Sequence, residues 1–120
     1  MSLETIDFDR LNFRPGNAVL DLGCGEGRHS ISARLGADIH VVGLDLSHSD
    51  LMTAQQRLDD FDFGEQTQCG FVQASGLKLP FNDHSFDHVI CSEVLEHIVD
   101  YASVLTEIKR VIKPLSLIHI

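Results

Sequence analysis

Gly23, Gly25 and Gly27 alternate with Cys24 and Glu26, and an acid, Asp21, stands two residues before the first of these glycines. Glycines at this spacing allow positive φ and keep side chains out of the way, so a ligand can approach the backbone closely. The run that holds them, VLDLGCGEGRHS from Val19 to Ser30, reads as a buried strand, a turn and a helix beginning at Arg28. Free N–H groups in the first turn of such a helix carry a partial positive charge and favour an anionic group. A dinucleotide fingerprint has the form G-x-G-x-x-G. Here the third glycine comes one residue early, and Arg28 holds the position that should be small. Asp21 would face a dinucleotide's pyrophosphate, so an acid at that place suits a ligand carrying positive charge instead.

The second residue with a chemical role is Asp45, which ends the apolar run Ile39–Leu44 and lies 18 residues after Gly27. An acid near this spacing, at the end of the second strand, can accept from both hydroxyls of a ribose. A carboxylate holds a vicinal diol with two oxygens, which Asn or Ser would do less well. The alternative is an ordinary strand-end or helix-capping Asp.

Four stretches resemble class I S-adenosylmethionine-dependent methyltransferases of the small-molecule, type 11 kind: D-L-G-C-G-x-G from Asp21, VVGLDLS from Val41, ASGLKLPF from Ala74 and FNDHSFDHVICSEVLEHI from Phe81. The resemblance runs from about Pro15 to Pro114. It implies a Rossmann-like, doubly wound α/β sheet, mostly parallel, with four to five strands present and the family's later strands missing. It also implies S-adenosylmethionine as cofactor, S-adenosylhomocysteine as product and a small-molecule methyl acceptor. On this resemblance, Gly23, Cys24, Gly25 and Gly27 support the methionyl end, Asp45 and Leu46 the ribose side, and Ser75 with Gly76 the adenine. Asp21 and Glu93 would provide negative charge near the ammonium and sulfonium, and Ser92 and Glu93 sit at the carboxyl end of the fourth strand, on the crevice side where such sheets bind ligands. The family usually places an acid where Ser75 stands, and a hydroxyl accepts a weaker hydrogen bond than a carboxylate. No triad or paired carboxylate is present; if the acceptor needs a base, His97 is the nearest suitable group, although packing or surface roles compete for it. Two other readings stand beside methyl transfer: a cofactor-binding but inactive methyltransferase-like fragment, and a dinucleotide-dependent oxidoreductase.

The elements that must position these residues follow in order. Residues 1–17 read as an N-terminal arm or partial helix ending at the Pro15-Gly16 turn, and 18–120 as the cofactor-binding domain. A helix after the glycine turn has apolar positions at Ile31, Ala33, Leu35 and Ala37, and Gly36 ends it. A second helix, capped by Ser47 or Ser49, runs through Leu51, Met52, Ala54, Gln55 and Leu58 toward Phe61. Cys69–Gln73 is the third strand and Phe86–Cys91 the fourth, with Phe81 and Phe86 as core anchors and Asp87 bracing neighbouring turns. Tyr101–Lys113 forms a third helix, with Val104, Leu105, Ile108, Val111 and Ile112 inward and Pro114 as its stop. Leu115–Ile120 alternates well enough to be a fifth strand. Its apolar edge invites self-association, and the family normally continues further, so the domain reads as C-terminally incomplete.

Composition narrows the rest. The chain has 120 residues, 43% hydrophobic and 22% charged, in the range of an ordinary globular domain. Its formal charge of −9 includes no basic cluster, which argues against nucleic acids and anionic membranes as partners. No apolar run reaches the length of about 20 residues that spans a bilayer, and the first ten residues lack a secretory pattern. Three widely spaced cysteines without a C-x-x-C pair fit reduced thiols and a cytoplasmic location. Seven histidines show no metal-ligand spacing, so no metal is expected.

Overall fold

A computed structural model describes residues 13–62, 68–91 and 100–119. The elements in chain order are β1 (Ala18–Leu22), α1 (Arg28–Gly36), β2 (His40–Asp45), α2 (His48–Leu58), β3 (Cys69–Gln73), β4 (Phe86–Ile90), α3 (Tyr101–Val111) and β5 (Ile112–His119). The strands form one sheet in the order β3-β2-β1-β4-β5, and every pairing is parallel. The chain starts in the middle of the sheet, moves outward through β2 to β3, and then returns to the other side of β1 for β4 and β5. β1 is therefore where the winding reverses, and ligands of such sheets sit outside the carboxyl ends of the strands at that place.

The alternation of side chains along β1 builds both cores. Leu20 and Leu22 join Leu44, Phe86 and Val89 from the sheet in one cluster with Val104, Ile108 and Val111 of α3. Val19 joins Val41 and Ile90 in a second cluster, together with Ala33 of α1. Because successive side chains point to opposite faces of a strand, Asp21 falls on the Val19 side, under α1. Burial alternates less on β1 and β2 than on a half-solvated strand, as expected where helices cover both faces.

Residues 13–17 are tied into this layer. Phe13 packs against the second cluster and meets the His88 ring edge-on at 4.8 Å. The Gly16 N–H donates to Asp38 O and the His40 N–H to Asn17 O, both at 2.8 Å. Phe81 and Phe86 form an edge-to-face pair at 5.0 Å beside the first cluster. Asp87 links the starts of two strands and not turns, accepting from the Ala18 N–H of β1 at 2.8 Å and from Lys113 Nζ of β5 at 3.2 Å.

Three expectations about element faces are corrected. In α1 the inward residues are Ser30, Ile31, Ala33 and Arg34, while Leu35 is 56% exposed. The apolar positions 31, 33, 35 and 37 repeat every two residues, and a helix cannot hold such a repeat on one face. In α2 only Leu51, Ala54 and Leu58 are buried; Met52 and Phe61 are exposed, and Phe61 lies past the helix end. The third helix stops at Val111, because Ile112 pairs with Phe86 and begins β5. Pro114 thus lies within β5, where the β4 register shifts between Phe86 and His88. A residue without an N–H fits such an irregularity and disfavours helical backbone at Lys113 before it.

Candidate functional site

The glycine turn lies across the tips of β1 and β2 and is pinned there by its own backbone. Gly23 and Cys24 both donate their N–H groups to Leu44 O, at 2.7 and 3.0 Å, and Gly27 N–H closes the turn on Cys24 O at 2.9 Å. Gly23, Gly25 and Gly27 have φ of 74°, 54° and 82°. Each lies in the left-handed region that L side chains pay to enter. At Gly25 a Cβ would meet nothing within 4 Å, so the bare backbone of this residue faces open space.

Asp45 joins the second strand tip to that turn. Its Oδ2 accepts from the Gly25 N–H at 2.9 Å and its Oδ1 from the Ser47 N–H at 2.8 Å. The Ser47 side chain in turn caps α2 through the Asp50 N–H. The carboxylate is half-buried at the mouth of the turn, and two oxygens leave lone pairs beyond the two N–H groups that they already accept. Next to it, Gln73 Nε2 donates to Leu46 O at 3.0 Å, and Ala74 N–H donates to Asp45 O at 3.1 Å. The β3 tip thereby holds the segment after β2. The Leu46 side chain is left 68% exposed, and Leu77 on the neighbouring loop is 52% exposed.

Ser75 makes a local turn, its hydroxyl accepting from the Leu77 N–H at 3.1 Å. Gly76 rests on the first core cluster, where a Cβ would lie 3.6 Å from Leu22 and Val104. The far end of this loop is anchored on α3. Glu107 accepts from the Leu79 N–H at 2.8 Å, while Arg110 donates to Leu79 O, Phe81 O and the carboxylates of Asp83 and Glu107.

Asp21 is 1% exposed, and its Oδ2 accepts from Ser30 Oγ at 2.7 Å. The Ser30 backbone N–H also donates to it. α1 begins at Gly27, which has no side chain to cap with, so the carboxylate at the β1 tip satisfies one of the helix's open donors instead. Burial raises the Asp21 pKa above its ordinary value, against the opposing pull of Ser30 and His29. Asp21 Oδ1 has no hydrogen-bond partner among the described residues. Burial likewise pushes up the thiols of Cys24, Cys69 and Cys91, the latter two to about 11. These thiols remain protonated at neutral pH and are poor nucleophiles.

A cavity of about 350 Å³ opens beside the turn, bounded by Gly23, Cys24, Gly25 and Glu26 and by Arg28, His29 and Arg57. Arg57 Nη2 and Glu26 Oε2 form an ion pair at 2.9 Å across it.

Of the residues expected from the sequence to form a site, Gly23, Gly25 and Asp45 come into one hydrogen-bonded unit, with Cys24 and Gly27 completing the turn. Leu46, Ser75 and Gly76 lie on the two adjoining loops at the same end of the sheet, and Asp21 lies beneath the turn. Ser92, Glu93 and His97 lie outside the described residues. Sequence reasoning missed Ser30, Gln73 and Arg57. A serine at the third helical position after an acid-glycine turn was the available signal for Ser30, whereas Gln73 and Arg57 are marked only by three-dimensional proximity. Among the described residues no group of three or more His, Cys, Asp or Glu could hold a metal ion, and no helix is long and apolar enough to cross a membrane.

The residues present fit an adenosyl sulfonium cofactor on two structural observations. A buried carboxylate oxygen without a protein partner among the described residues lies under the turn, and an open glycine backbone lies above it.

Comparison with known proteins gives the lineage. The family profile described as a methyltransferase domain matches residues 13–120. A demethylmenaquinone methyltransferase of Oceanobacillus iheyensis is 36% identical over 107 residues, which are 88% of this chain and 44% of that protein. An O-methyltransferase of Aspergillus nomiae is 33% identical over 106 residues, 88% of this chain and 46% of that protein. The chain thus spans a little under half the length of these relatives. Among solved structures, the putative methyltransferase bound to the Haloferax volcanii Trm112 activator superposes with a TM-score of 0.82 at 30% identity, covering 92% of this chain and 47% of that one. A Haemonchus contortus phosphoethanolamine N-methyltransferase solved with S-adenosyl-L-methionine gives a TM-score of 0.81 at 26% identity, covering 92% and 25%. With its parallel sheet, glycine turn and matched profile, the chain belongs to the methyltransferase-domain family of the class I, S-adenosylmethionine-dependent kind.

Proposed function

We propose that this chain is the cofactor-binding part of a methyltransferase that moves a methyl group from S-adenosylmethionine to a small-molecule nucleophile by in-line displacement. The observation that carries the reading is the Asp45 carboxylate held against the Gly25 N–H at 2.9 Å. It brings a diol acceptor and an open backbone cradle together at the point where the sheet's winding reverses. The family membership supports the cofactor, and the names of the relatives support a small acceptor.

When bound, the cofactor supplies a methyl group already activated on a sulfonium, so the protein's part is positioning. In this reading Asp45 accepts from the ribose hydroxyls with the lone pairs that Gly25 and Ser47 leave open. Leu46 and Leu77 offer apolar surface to the base, and Ser75 and Gly76 border it. Asp21, with one oxygen committed to Ser30, keeps a buried negative charge beneath the methionyl end, where a cation offsets the cost of that burial. Holding donor and acceptor atoms about 3 Å apart and in line can lower the barrier by several kcal/mol without a catalytic base.

Titration calorimetry with S-adenosylmethionine and S-adenosylhomocysteine tests the reading, with NAD as the competing ligand. Binding of both adenosyl compounds and loss of that binding in Asp45→Ala are expected; heat with NAD alone would overturn it. Because the chain spans under half of its relatives, a fragment that binds the cofactor without turnover is the second reading. A turnover assay against phenols, amines, carboxylates and thiols separates the two.

A further inference from the structure

Two glycines of this fold are bare for the sake of one ring. Gly43 of β2 and Phe71 of β3 are register partners, and their side-chain positions share the face under α1 and α2. A Cβ on Gly43 would lie 2.6 Å from Phe71 Cδ1, 2.8 Å from its Cε1 and 2.9 Å from Cys24 Sγ. The ring therefore lies over the bare Cα of Gly43, and the Cys24 sulfur of the glycine turn borders the same space. Its tip reaches the end of that turn: a Cβ on Gly27 would lie 2.9 Å from Phe71 Cζ and 2.8 Å from Ala54 Cβ. Real Cβ atoms do not approach so closely, so neither glycine tolerates a side chain while the ring stays where it is.

From this wedge we infer that Phe71 is a positioning residue for the cofactor cradle: its ring, lying in the gap left by Gly43, sets the height of the Gly23–Gly27 turn over β2. The inference deepens the cofactor reading above and rests on it for its functional meaning. Three hydrogen bonds depend on that height: the Gly25 N–H to Asp45 Oδ2 bond of 2.9 Å, and the bonds from the Gly23 and Cys24 N–H groups to Leu44 O. Phe71 is only half-buried and belongs to neither core cluster, so its ring is not needed to complete a core. Packed interiors respond to a lost ring by partial collapse. Here the part free to collapse is the turn, whose glycines lack the side chains that would wedge it.

Hydrogen exchange tests this on the intact chain without any cofactor. In Phe71→Leu the Gly25 amide is expected to lose protection by about tenfold or more relative to the Val42 amide in the middle of β2. A general loss of stability would lower both alike, so the ratio reports position. Gly43→Ala, which drives the ring outward, should do the same, and Gly43→Ala/Phe71→Leu should recover part of the ratio because the smaller side chain makes room for the new methyl. Phe71→Met, close in volume, should keep most of it and covers the case in which Phe71→Leu does not fold. In the second arm, S-adenosylhomocysteine affinity should weaken about tenfold in Phe71→Leu and in Gly43→Ala, and partly return in the double variant. An unchanged ratio in folded Phe71→Leu, or strictly additive effects in the double variant, overturns the inference. If the ratio collapses as expected while the native chain binds no S-adenosylhomocysteine, the wedge stands and the cofactor reading falls.

Discussion

Asp45→Asn is a nearly isosteric change at the centre of the site, and the structure says that it gives no rescue. The two carboxylate oxygens face two N–H donors, Gly25 at 2.9 Å and Ser47 at 2.8 Å. An amide carries one oxygen and one NH₂, so whichever way it is turned one backbone donor meets another donor. A hydrogen bond to a charged group contributes about 1.5–3 kcal/mol, and Asp45 is only half-buried, which places the loss toward the lower end, at about 2 kcal/mol. For a domain of this size that corresponds to a melting temperature lower by about 5–10 °C. Asp45→Ala should fall by a similar amount, because water can enter the vacated position and satisfy both N–H groups. Urea and thermal denaturation of the three proteins at pH 7 measure this directly. In calorimetry both variants should bind S-adenosylhomocysteine at least about tenfold more weakly, equivalent to about 1.4 kcal/mol. An Asn variant that melts within a degree of the native chain and keeps its affinity refutes the claim that both oxygens are engaged on the turn and the α2 cap.

Other perturbations separate fold from site. Asp21→Asn should stabilise the chain yet weaken cofactor binding. Burial raises the folded pKa above 3.8, so the folded state holds the proton more tightly than the unfolded chain. Its contribution is fully present below the ordinary carboxylate value and is lost as pH rises through the folded one, at about 1.4 kcal/mol per pH unit. Melting the native and variant chains from pH 4 to 7 should show the variant's advantage growing across that window. Asp87 behaves oppositely: burial would raise its pKa, but the Ala18 N–H and Lys113 outweigh that and lower it below 3.8. Its contribution is present above that value and lost as pH falls through the folded pKa, so Asp87→Asn should cost stability at pH 7 and converge with the native chain in strong acid. Gly27→Ala combines a left-handed φ of 82° with contacts of 2.8 and 2.9 Å, and should cost about 2–5 kcal/mol. Gly36→Ala, at a helix end with nothing within 4 Å, should gain about 0.4–1 kcal/mol in the same denaturation assay.

The parallel sheet was legible because its signals are local: apolar runs at β1 and β2, with an acid next to the end of the first and at the end of the second, and turn residues before β1 and β4. The glycine turn and Asp45 were legible for a related reason, since close backbone approach and diol binding each demand a particular residue type at a particular strand end. Helix faces were less so. Arg34 is buried in α1 while Leu35 is exposed, because the Arg stem packs inward and its Nη1 donates to Ala37 O. A side chain with a long apolar stem can take a core-facing position that a hydrophobicity pattern assigns to its neighbour. The end of α3 was misplaced by two residues because strand pairing at Ile112, a non-local contact, overrides a helical pattern that continues through it. Phe71 carries no sequence mark at all, and Ser30 is marked only by its place in the first turn of α1, since what both do depends on elements that meet only in the folded chain.

The three helices make a comparison that bears on where the site must be. α2 and α3 begin conventionally, with Ser47 and Asp100 accepting from the N–H three residues on. α1 begins at a glycine and borrows its carboxylate from the tip of β1. A Ser or Asp at position 27 would cap the helix locally, but its Cβ would collide with Ala54 and Phe71 and suffer the φ of 82°. The fold therefore gives up the ordinary cap and accepts a buried charge with one oxygen left unpartnered among the described residues. Each departure weakens the ligand-free chain, and all of them converge where the glycine turn joins β1 to α1. A cation bound there would supply the missing partner for that oxygen, so the destabilising features of α1 become favourable together only when the cradle is filled.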